Sequence, residues 1–100
     1  MATTSKALAR TAAATSSTTL YTVPSATTTV VTNIVVTNSA GTAGTFTITL
    51  DGVDLFKTTS IAANSTAMFD LKQTLAATKV IAGLASATTI NFHISGVEIA

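Results

Sequence analysis

One hundred residues suffice for one hydrophobic core and not for two, so the chain is read as a single module carrying a tail. Only 9% of the residues are Asp, Glu, Lys or Arg, against about 25% in an ordinary soluble domain, and Lys6, Arg10, Lys57, Lys72 and Lys79 are scattered without interleaved aromatic residues, which argues against nucleic-acid binding. The lack of Cys excludes disulfides, zinc–thiolate sites and thiol nucleophiles together, and Thr, Ser or Asn breaks every apolar run well short of the ~20 residues a bilayer requires, so neither a membrane span nor a signal peptide is expected.

Residues 1–19 are rich in Ala, Thr and Ser, with Leu8 as the one large apolar side chain after Met1. Such a stretch buries little on its own and is expected to be an arm that orders when something pairs with it. Ala-rich spacing around residues 7–14 allows a helix, but the flanking Thr and Ser favour an extended strand, and the extended form is the expectation. Lys6 and Arg10, four residues apart, would then share one face.

From Leu20 onward the hydrophobic period is two. Leu20-Tyr21-Thr22-Val23 forms a first short strand stopped by Pro24. Residues 28–37 read TTVVTNIVVT, which puts Val30, Ile34 and Val36 on one face and Val31 and Val35 on the other; a strand apolar on both faces is central or covered by a partner. Residues 45–50 alternate Thr with Phe46, Ile48 and Leu50, and Asp51-Gly52 follows as a type I′ hairpin signal into residues 53–57. After a turn at residues 61–65, Ala67, Phe69 and Leu71 alternate with Met68, Asp70 and Lys72; Val80 and Ile81 mark a shorter strand. In the last strand Ile90, Phe92 and Ile94 share a face, and past Gly96 the apolar positions switch to Val97 and Ile99, which predicts a β-bulge at that glycine. The expected fold is all-β: an antiparallel β-sandwich or jelly roll of about six to eight short strands over residues 20–100, preceded by the arm.

The chemistry-bearing residues are sparse. Asp51, Asp54, Asp70 and Glu98 are the only acids; paired-carboxylate catalysis needs two of them in one cleft, and the Asp51-Gly-Val-Asp54 spacing falls short of the six to eight oxygen ligands of a Ca²⁺ site. His93 alternates out of the apolar face, Asn64-Ser65-Thr66 is a polar turn that also matches a glycosylation sequon, and the five Gly form no phosphate loop. No enzyme activity, cofactor or metal is expected. The Thr45-x-Thr47-x-Thr49 row would order ice-like water only if neighbouring strands repeated it.

The Thr-rich N-terminus, Leu20-Tyr21-Thr22-Val23-Pro24, the strand over residues 30–38, the turn at residues 61–66 and the ending Phe92-His93-Ile94-Ser95-Gly96-Val97-Glu98-Ile99 together resemble the small β-sandwich virion proteins of tailed bacteriophages. The resemblance covers nearly the whole chain and implies a capsid cement or decoration protein on the capsid surface, bound to the major capsid protein or other virion subunits and itself a homo-oligomer; the alternative is a tail or neck component. A pilus or surface-layer subunit would share the weakly charged Thr and Ala surface. Lys6, Leu8 and Arg10 of the arm and Val31 and Val35 of the two-faced strand are the expected partner-binding residues.

Overall fold

A computed structural model describes residues 2–100, which hold eight β-strands and no helix: β1 Thr3–Ala12, β2 Thr18–Thr22, β3 Thr28–Asn38, β4 Gly44–Leu50, β5 Val53–Ile61, β6 Ser65–Leu75, β7 Val80–Ala85 and β8 Ile90–Ile99. They form two four-stranded antiparallel sheets, one in the order β1-β8-β3-β6 and the other β2-β7-β4-β5. The antiparallel pairs β1 with β8, β2 with β7, β3 with β6 and β4 with β5 are nested one inside the next. Alternate pairs fall in opposite sheets, which is what a single long hairpin gives when rolled up: a jelly roll.

The tight end of that hairpin is the Asp51-Gly52 turn, where both residues have positive φ (54° and 74°), as a type I′ connection demands. Inside the roll, Phe46 packs against Phe92 with ring centroids 6.2 Å apart and against Phe56 at 5.6 Å, and Phe56 meets Phe69 at 4.4 Å. These tilted and edge-on contacts tie the two sheets together through their strongest hydrophobic groups. Ile34, Val36, Ile48, Ile81, Ile90 and Ile94 fill the remaining core. Buried Asn38 closes one end of β3 by donating to the carbonyls of Thr42 and Ala62 and accepting from the Ala40 N–H, so its desolvated amide is paired.

The N-terminal stretch is the main departure from expectation. Residues 3–12 are not an arm outside the sandwich but its first strand, paired along β8 from Thr3 opposite Ile99 to Ala12 opposite Asn91. Leu8 is 7% exposed and Ala13 2%, so both belong to this chain's own core. Extended conformation is correct for the segment; what composition hides is that a polar strand needs only one anchoring side chain when a long neighbour supplies its backbone partners.

A line of bulges crosses the first sheet. Leu8 is the extra residue in β1 and Thr32 the extra residue in β3, while β6 carries additional residues between Asp70 and Gln73. The insertion in β1 lies beside Ser95 and Ile94 of β8, that in β3 beside Ser95 and Gly96, and that in β6 at the same level on the far side of β3. The irregularity expected at Gly96 is therefore on the right level but in the neighbouring strands, and β8 keeps its parity. Ile90, Phe92, Ile94 and Gly96 are buried in alternation; Glu98 continues that inward series, and half-exposed Val97 and Ile99 face outward.

Candidate interaction surface

Bulges decide where the expected partner-binding residues point. Because Leu8 is inserted between Lys6 and Arg10, those two side chains lie on opposite faces of the sheet, not on one. Lys6 stands opposite Gly96 and reaches Glu98 at 3.5 Å, whereas Arg10 stands opposite His93 on the outer face. Thr32 likewise shifts β3 by one position, so Val31 joins Ile34 and Val36 in the core at 0% exposure and Val30 turns outward with Val35. Of the five expected contact residues, Arg10 and Val35 lie on the outer face, Leu8 and Val31 are core, and Lys6 is held by Glu98.

The inward Glu98 builds a polar strap across one end of the roll. Tyr21 of β2 donates its hydroxyl to Glu98 of β8 and lies 2.9 Å from the Thr29 hydroxyl of β3; a phenol has one proton to give, so Thr29 donates to Tyr21. Both sheets and β1, through Lys6, meet at this carboxylate. Burial, the hydrogen bond to Glu98 and its negative charge raise the Tyr21 phenol above its ordinary value of 10.0. The folded chain thus holds this proton more tightly than the unfolded chain. The stability so contributed is whole below about pH 10 and is lost as pH rises through the higher folded value. Tyr21→Phe should cost about 1 kcal/mol near neutrality and should flatten the loss of stability above about pH 10 in urea titrations. Equal alkaline losses in the two proteins would assign that loss to another group.

The outer face of the β1-β8-β3-β6 sheet is ordered in cross-strand rows. One row reads Ser5, Val97, Val30, Thr74; the next, Ala7, Ser95, Asn33, Asp70; then Arg10, His93, Val35, Met68; then Ala12, Asn91, Thr37, Thr66. Val30, Val35 and Val97 are half-buried, and Met68 is 75% exposed. Val97, Val30 and Val35 thus stand on the two central strands, interrupted by Ser95 and Asn33, exposed Met68 stands on edge strand β6, and charge sits on the margins, Arg10 on one edge strand and Asp70 on the other, the latter accepting a 3.5 Å hydrogen bond from Asn33. Depletion of charge at the centre with charged groups kept to the rim is a feature such a face shares with protein–protein contacts. Beside the bulges, Thr32, Asp70, Leu71 and Lys72 line an open hollow of about 490 Å³.

The opposite face is different in kind. Thr45, Thr47 and Thr49 of β4 do point outward, but β7 places Leu84 beside Thr47 and Ala82 beside Thr49, so the hydroxyl row is not repeated on that side. Thr47 is also occupied, accepting from the Thr58 N–H at 2.9 Å. The acids are dispersed: Asp51 pairs with Lys79 at 3.7 Å, Glu98 serves the strap, and among the described residues no three of His, Asp and Glu gather in a metal-binding group. Comparison with protein-family profiles, with curated proteins and with solved structures gives no match.

Proposed function

We propose that this protein is a non-enzymatic structural subunit of a virion, a capsid cement protein that binds neighbouring subunits of the shell. The observation that carries the reading is the outer face of the first sheet, where Val30, Val35 and Val97 stand among Ser, Asn and Thr on the central strands, Met68 is exposed on β6, and charge is confined to the edge strands. A weakly charged surface of this kind repels other proteins little. The jelly-roll fold adds a fold-level analogy, since viral capsid domains share it along with lectins, and a fold by itself assigns no function. The resemblance of the sequence to small phage virion proteins supplies the setting.

The test is to purify intact particles carrying this chain and locate it by imaging. Regular density on the capsid shell, lost together with heat resistance when the chain is deleted, is the expected result. Density on the tail or neck would move the chain to the other structural class, and absence from purified particles would overturn the proposal.

A further inference from the structure

We infer that the outer face of the β1-β8-β3-β6 sheet is a self-pairing surface whose partner is a second copy of this chain, packed face to face about a two-fold axis that runs along the strands between β8 and β3. The inference deepens the proposed structural role, on which it rests, by naming what covers this face.

The sequence of the cross-strand rows carries it. With the axis along the strands, β8 of one copy lies over β3 of the other and β1 over β6. The row Ser5, Val97, Val30, Thr74 is polar, apolar, apolar, polar, so it matches itself when reversed: Val97 falls on Val30 of the second copy and Ser5 on Thr74. The same operation brings Arg10, on the β1 margin, to the β6 margin of the second copy. There the methylene stem of Arg10 covers exposed Met68, and its guanidinium faces Asp70 one row away. An isologous interface makes every such contact twice. Lys72, further along β6, meets the uncharged part of the opposed β1 around Ser5 and Ala7.

The charges also choose between axes. A two-fold axis across the strands at the level of these two rows would set β1 on β1 and β6 on β6, so that Arg10 approaches Arg10 and Asp70 approaches Asp70. The axis along the strands sets Arg10 toward Asp70 at both margins of the face. Sheets packed in this way sit about 10 Å apart with strands within about 30° of one another, and the molecular outline of 46 × 21 × 17 Å leaves a face on the scale of the about 800 Å² per partner of a stable complex.

Charge reversal tests the inference, because Arg10 and Asp70 are both exposed on edge strands and their substitution leaves the core intact. Sedimentation equilibrium should show the wild type as a dimer. Arg10→Asp alone and Asp70→Arg alone should each weaken it on the order of tenfold, and the double variant should recover near wild-type affinity, with circular dichroism unchanged throughout. Val30→Asp, checked for folding in the same way, should give a monomer. A wild type that stays monomeric at high concentration, or a dimer indifferent to both reversals, would overturn the self-pairing. Particle attachment is measured separately on the same variants: a monomeric wild type that still decorates particles would sink the dimer and leave the structural role standing.

Discussion

Deletion of residues 2–12 is expected to unfold the protein or drive it to aggregate, not to yield a trimmed and stable sandwich. The deleted strand pairs with β8 over nearly its full length, and its ladder is extended by reciprocal hydrogen bonds between Ala2 and Ala100 (2.9 and 2.8 Å). Its side chains add little burial except at Leu8, whose loss alone is worth about 2–5 kcal/mol by analogy with Leu→Ala changes in other cores. Domains of this size have only about 5–15 kcal/mol to lose. Deletion would also leave β8, now paired on both sides, with a row of bare N–H and C=O groups beside half-exposed Val97 and Ile99, the kind of long apolar edge that recruits other chains. Leu8→Ala, which keeps the ladder and removes the anchor, should remain folded and monodisperse at reduced stability. Circular dichroism and light scattering on the two variants separate backbone pairing from side-chain packing; a deletion variant as stable as the wild type would restore the view of this segment as a free arm.

The same segment shows where sequence patterning stops being informative. Strands with a buried face announce themselves: Phe46, Ile48 and Leu50, then Ile90, Phe92 and Ile94, alternate as expected and point inward, and Asp51-Gly52 turns where its chemistry requires. β1 gives no such signal, because it is held by backbone hydrogen bonds that any sequence can make, and Leu8 alone among its bulky side chains is buried. The outer face was only half legible. Apolar residues on both sides of β3 do announce valines on both faces of the sheet, but which valines lie on the outer one depends on Thr32, and a bulge at a threonine has no compositional mark. Val30 and Val31 accordingly exchange roles, and Lys6 and Arg10 part company, through insertions that become visible only when β1 and β3 are laid against β8. The strand order that sets Arg10 and Asp70 on opposite margins is a tertiary fact that local alternation does not encode.

Those insertions lie close to Gly96, and Gly96→Ala is expected to be among the most damaging single substitutions in the chain. A Cβ at this position would lie 2.4 Å from the Val30 carbonyl oxygen and 2.9 Å from Leu8 Cδ1. The leucine can rotate away, but the carbonyl belongs to the backbone of β3, which is paired with β8 on one side and β6 on the other, so the central strands themselves must part. Overpacking relieved by side chains costs about 1–3 kcal/mol; a displaced central ladder should reach about 3 kcal/mol or more, a fall in Tm of about 15 °C for a domain of this length. The other glycines provide the scale. At Gly83 the nearest groups are the Leu20 side chain at 3.0 Å, the Phe92 ring at 3.2 Å and the Thr47 carbonyl oxygen at 3.3 Å, so alanine there should cost about 1 kcal/mol. At Gly41 nothing lies within 4 Å, and alanine should change stability by less than about 0.5 kcal/mol. Urea titration of the three variants should rank them in that order. Adding Leu8→Ala to Gly96→Ala should recover little, because it removes the soft contact and leaves the hard one; full recovery would show that the leucine, not the Val30 backbone, is what position 96 must accommodate.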